Sequence, residues 1–264
     1  MKNLYFLLVV LLPVFAKAQS KANAPISFWP ELQLSTEIGE GSLLFFKNGY
    51  RINTDNRYND LRDSGILSNF ERIELSVGFE QTLSDHWRAG AIYRYAIEDF
   101  PKSQFYTLFL RHNGHLKSLY FNKQLTAEYV RQENHDPFGR FAGMAELGKR
   151  LPLKSKFITP AIAIDAMVIS DFSKEDKFAA QERTIDRTRL RFSLNYELTD
   201  KLRINPYFMR QTDYYYMLVS PVYDEQGKLV KDGYTTKRNR ISPVFGLEVK
   251  YAFNVTPNTA SITY

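Results

Sequence analysis

Arg187, Arg189 and Arg191 occupy every second position of one short stretch. Side chains spaced by two share one face of a β-strand, so these guanidinium groups would form a ladder. Such a ladder can bind anions in a forked geometry or pair with carboxylates. Arg203 on the following stretch, and Arg238 and Arg240 near the end of the chain, fall on the same polar phase. Carboxylates of matching phase stand on other stretches: Glu74, Glu80, Glu128, Glu146, Asp165 and Glu248. Ala161 and Ala163 precede the arginine ladder and leave room for long side chains. Charges enclosed together must pair or meet water, because an isolated buried charge is prohibitively costly. Two readings follow for this lumen charge network. It is either an ion-paired filling of a narrow interior or a small cavity with a positive stripe that draws anions.

Other chemistries find less support. Hydrolysis by a serine needs a histidine beside it to take the proton. His86 and His115 fall in turns, His112 phases away from the charged face, and His135 lies in a connection beside Asp136. No catalytic residue is assigned, and a lipid hydrolase centred on His135 is the least favoured reading. Asp55, Asp60 and Asp63 cluster in one connection, and Asp171, Glu175 and Asp176 in another, yet neither has the ligand spacing of a calcium loop. Gly-rich phosphate loops and His-Glu-x-x-His zinc helices do not occur. The chain has no cysteine, which excludes thiolate metal sites, disulfides and thiol nucleophiles. No cofactor or metal is expected. The net charge of +6 is spread along the chain rather than gathered in a tail, so nucleic acid is not an expected partner.

The elements that would carry these residues are strands. In Arg187 to Leu198, Leu190, Phe192, Leu194, Tyr196 and Leu198 alternate with the charged set. Similar alternation appears at 28–37, 43–53, 70–83, 87–98, 104–112, 116–132, 140–151, 157–169, 183–198, 202–215 and 236–253. One apolar face and one ionic face, repeated this often, implies an antiparallel up-and-down β-barrel spanning a membrane, apolar outside and polar within. The apolar sets include Ile73/Leu75/Val77/Phe79, Trp87/Ala89/Ala91/Tyr93/Tyr95 and Ile241/Phe245/Leu247/Val249/Tyr251/Phe253. Pro160, Pro206 and Pro243 share that outward phase and are expected near strand ends or bulges, since each lacks a ladder donor. The 17 tyrosines and 20 phenylalanines suit interfacial girdles. Trp87, just after a short turn, suits the girdle at the periplasmic boundary.

Connection lengths orient the barrel. Ser84-Asp85, Asn113–His115, Pro152–Ser155 and Thr199–Lys201 read as tight turns, whereas 54–69, 98–103, 133–139, 170–182 and 216–235 are long. Short periplasmic turns and long surface loops alternate in this way in outer-membrane barrels. The 216–235 link, with a turn at Asp224–Gly227, is expected to project as a hairpin that could meet an envelope protein partner. Residues 1–18 read as an export signal, with Lys2, an apolar core from Leu4 to Phe15 and the cleavage motif Ala16-Lys17-Ala18. Residues 19–254 form the barrel, and 255–264 a tail or closing strand. Bacterial single-chain barrels have even strand counts. Eleven segments therefore imply ten strands, if 28–37 does not cross, or twelve, if one is hidden at 214–234 or 255–264. Twelve is preferred.

The stretch Leu83-Ser84-Asp85-His86-Trp87-Arg88-Ala89-Gly90-Ala91-Ile92-Tyr93-Arg94-Tyr95 resembles the tight-turn hairpin of a Bacteroidetes outer-membrane barrel family, domain of unknown function 2490. Arg189–Phe192 through Thr199–Ile204 is similar to its later hairpin. Gly246 to Phe253 also resembles the terminal strand signal read by the barrel-assembly machinery, although further residues follow it here. The resemblance covers about Phe28 to Phe253 and implies an outer-membrane barrel embedded in lipid, without assigning an activity. The combined expectation is a non-enzymatic structural or accessory subunit with a charge-filled lumen. The alternative is a narrow passive pore for small anionic solutes.

Overall fold

Period-two alternation dominates the chain, and strands are what it forms. The computed structural model describes residues 20–59, 61, 70–98, 102–172, 185–224 and 226–254. In chain order the strands are β1 (Ser20–Asn23), β2 (Ser27–Gly39), β3 (Ser42–Asn53), β4 (Arg72–Thr82), β5 (Trp87–Ile97), β6 (Ser103–Leu116), β7 (Leu119–Gln132), β8 (Phe138–Gly148), β9 (Leu151–Leu153), β10 (Lys156–Asp171), β11 (Arg187–Glu197), β12 (Leu202–Val219), β13 (Val222–Tyr223), β14 (Leu229–Lys231) and β15 (Tyr234–Ala252). From β2 to β15 the long strands pair antiparallel in sequence order, and β15 then pairs with β2 in parallel. The result is a closed barrel of 11 strands. Closure removes every free sheet edge around the ring.

The odd count corrects the expectation of ten or twelve. Segment 28–37 does cross, within β2, and it starts at the end that carries the long connections. β15 descends from that same end, so Val244 to Ala252 run alongside Ser27 to Ser35 in the same direction. An antiparallel seam requires an even number of strands, and a parallel seam does not. No additional crossing strand lies in 214–224 or 226–234. There β12 and β15 continue paired up to Val219 and Tyr234, and β13 and β14 form the tip of a projecting hairpin. Asp224 closes that tip by accepting the backbone N–H groups of Gln226 and Lys228. Residues 1–19 and 255–264, with the signal and tail expected there, lie outside the described residues.

Two turns fall later than their residues indicate. Asn113-Gly114 lies inside the β6–β7 ladder, paired with Asn122 and Phe121, and the turn is Lys117-Ser118. Pro152 and Leu153 belong to β9, which pairs with the start of β10 around Lys154-Ser155. Lys117 and Lys154 take the positive φ values, 57° and 54°, that such tight hairpin turns demand.

The three outward prolines sit where a ladder is interrupted. Pro243 faces the break between β1 and β2, Pro160 the junction of β8 and β9, and Pro206 the gap in pairing between β11 and β12. A residue without an N–H costs nothing where no acceptor is waiting.

Candidate functional site: the lumen charge network

The pleat sends the two faces of each strand to opposite sides of the barrel wall. Outside, Phe192 is 47% exposed and Leu194 41%, and Leu108, Leu125, Ile164 and Phe245 are exposed with them. Inside, the alternate residues form a network of ion pairs. Glu80 is fully buried, and its two oxygens accept Arg88 Nη1 and Arg111 Nη1, each at 3.2 Å. Arg111 also donates to Gln124 Oε1 through Nε and Nη2, at 2.9 and 2.7 Å. Nearer the long connections, Glu74 takes Arg51 at 2.7 Å, Arg72 at 2.8 Å and Arg94 at 3.9 Å. Glu128 takes Arg94 at 2.9 Å, Arg140 at 3.3 Å and the Thr107 hydroxyl at 2.8 Å. Glu248 binds Arg191 at 2.6 Å, Lys250 at 3.2 Å and Asn205 at 2.8 Å.

Each of the other residues singled out in the sequence has a definite place on the lumen side. Arg187 pairs with Asp213 on β12. Arg203 lies opposite Glu197 in the β11–β12 register. Glu146 stands between Asn122 on β7 and Ala163 on β10 in the register. Arg240 stands opposite Asp213, with its guanidinium 5.8 Å from the Tyr58 ring, and Arg238 stands opposite Tyr215. Asp165 and Arg189 are direct neighbours across β10 and β11 but form no ion pair within 4 Å. Arg189 instead gives Nε to Gln211 Oε1 at 2.9 Å and reaches into the electrostatic range of Arg51, Glu74 and Arg94 on the facing wall.

Aromatic rings line the inner wall between the charges. Phe45, Phe109 and Tyr207 lie directly opposite Gly78, Gly90 and Gly246 in register, and each ring packs flat over its glycine. A Cβ at Gly246 would fall 1.9 Å from the Tyr207 ring, so these wall positions are open only to glycine. Phe105 anchors a small apolar cluster with Ala96, Val130 and Phe138. The guanidinium carbons of Arg94, Arg140 and Arg72 approach its ring centroid to 4.2, 5.2 and 5.3 Å. Arg51 stacks on Trp29 at 4.2 Å in the same way.

Sequence reasoning overlooked Arg51, Arg72, Arg88, Arg94, Arg111 and Arg140, which hold Glu74, Glu80 and Glu128. The signal was available, because each alternates with outward apolar neighbours just as Arg189 does with Leu190. The acidic loop clusters make no ligand set. Asp55 caps a short 3₁₀ turn and binds Arg57, whose side chain and backbone N–H hold the carboxyl below its usual range. Asp60, Asp63, Glu175 and Asp176 lie outside the described residues. His135 occupies an exposed turn after β7. No hydrogen bond joins a histidine ring to a serine or a carboxylate among the described residues.

No family model matches the chain, and no match emerges among curated proteins. Among solved structures it is similar to one titled "NanC porin structure in rhombohedral crystal form", at 13% identity, over 86% of this chain and 97% of that one, with a TM-score of 0.42. The barrel assignment here rests on the closed pairing ladder itself.

Proposed function

We propose that this is a non-enzymatic, porin-like barrel of the bacterial outer membrane whose lumen is filled, serving as a structural or accessory subunit of the envelope. The burial of inward side chains of every chemical type carries the reading. Inward side chains as different as Glu80, Phe109, Val130 and Val244 are all sealed from water. Barrels of modest strand number are expected to fill with side chains rather than leave a channel. Membrane residence is supported by the broad exposed apolar belt, which no water-soluble surface would carry at that extent. Residues 1–18 would be the export signal, and β15 the strand read by the assembly machinery. Membership of the family of unknown function 2490 fits the same picture. The β12–β15 hairpin, with Leu218, Val222, Tyr223 and Val230 exposed, is the surface offered to an envelope partner.

Reconstitution into planar bilayers tests this directly. Silent bilayers are expected. Stable, anion-selective steps would overturn the closed-lumen reading in favour of a narrow anion pore. One observation favours that second reading: basic side chains outnumber carboxylates in the lumen, and Arg187 and Arg191 keep about a quarter of their side-chain surface accessible.

A further inference from the structure

The outer wall carries a groove that an apolar belt by itself does not require. Between β5 and β10 the outward positions shrink to Gly143, Ala145 and Ala166, flanked by Leu110, Leu125 and Ile164. The hollow measures about 690 Å³ and runs into a second of about 560 Å³ along the same strands. It is an open furrow with a largely apolar lining, a shape that takes a chain along its length.

Its end nearest the short turns is polar and cationic. Trp87, His112, Lys123 and Ala145 form one continuous cross-strand row, each in register with the next. Trp87 meets His112 edge-on at 4.8 Å, and the His86 ring lies 5.9 Å from that of His112. His112 Nδ1 is buried without a hydrogen-bond partner. Lys123 makes no ion pair among the described residues. Its ammonium lies 5.1 Å from the Phe121 ring, which stands two residues closer to the turn, so the side chain leans towards the rim. An unpaired ammonium, an imidazole nitrogen without a partner and an indole at the mouth of a greasy furrow match an anionic headgroup joined to acyl chains.

We infer that this furrow is a binding site for an anionic phospholipid, with its phosphate at Lys123 and His112 and one acyl chain lying over Gly143, Ala145 and Ala166. The inference rests on the membrane reading above. A bulk lipid annulus would show no preference for headgroup charge, whereas a cationic site of this kind requires one.

The test is native mass spectrometry of the detergent-purified full chain titrated with phosphatidylglycerol, with phosphatidylcholine of identical chains as comparison. Selective retention of phosphatidylglycerol is expected. It should weaken about tenfold in the Lys123→Gln/His112→Gln variant, as loss of a charge-assisted contact implies. Gly143→Leu should also abolish it by filling the furrow. That variant should fold, because a Cβ at 143 meets only Leu125, at 3.7 Å. Glycerol phosphate without chains should not compete. Equal binding of the two lipids, or unchanged affinity in both variants, overturns the site. So does a wild-type dimer that Gly143→Leu dissolves, which would assign the furrow to a second copy of the chain. Insertion into vesicles is scored separately. Failure to insert removes the membrane reading, whereas insertion with indifferent lipid binding removes only the site.

Discussion

Removing the Glu80 carboxylate should test whether the lumen is closed at the end bearing the short turns. In Glu80→Ala, Arg88 and Arg111 each lose a partner at 3.2 Å while staying almost entirely enclosed. Deleting one member of a buried ion pair typically costs about 3–5 kcal/mol, because the remaining charge is stranded away from water. Arg111 keeps its two bonds to Gln124, and both arginines retain further contacts. The expected loss is therefore near the lower end, about 3 kcal/mol, or more than a hundredfold in the unfolding equilibrium constant. Urea unfolding from phospholipid vesicles, followed by the fluorescence of Trp29 and Trp87, measures it. Glu80→Gln retains one acceptor and should fall between wild type and Glu80→Ala. The control is Asp200→Ala, which removes the exposed partner of Lys156 and should change nothing measurable. If Glu80→Ala behaves like that control, Glu80 is hydrated and the lower lumen is open.

Two further predictions address the wall and the seam. Gly246→Ala should destabilise the barrel by about 1–3 kcal/mol in the same assay, and Tyr207→Ala in the same chain should recover much of the loss by withdrawing the clashing ring; additive losses would refute ring-over-glycine packing. The chain has no cysteine, so single cysteines report sidedness cleanly. Asn23→Cys and Gln226→Cys should both react with an impermeant maleimide on intact cells, whereas Ser155→Cys should react only after lysis; Asn23→Cys labelling with the Ser155→Cys pattern would refute the parallel β2–β15 seam.

The lumen was partly legible without coordinates. Alternation alone assigns Arg187, Arg189 and Arg191 to one side and Leu190, Phe192 and Leu194 to the other, because the pleat admits no other arrangement. The same rule, applied to every strand, would have found Arg88 beside Trp87 and Arg94 beside Tyr93. Pairing partners were not legible. Glu80 could meet any inward arginine until the register set it between Arg88 and Arg111.

Strand character, wall-facing phase and the alternation of short and long links are local properties, written in neighbouring residues and set by backbone sterics and turn chemistry. Closure is not local. The number of strands, the parallel meeting of β2 with β15 and the reach of Arg189 to the facing wall depend on how residues more than 200 positions apart come into register. The ladder satisfies parallel and antiparallel seams alike, so nothing in either strand's own alternation chooses between them. Only closing the cylinder around its enclosed charges made that choice.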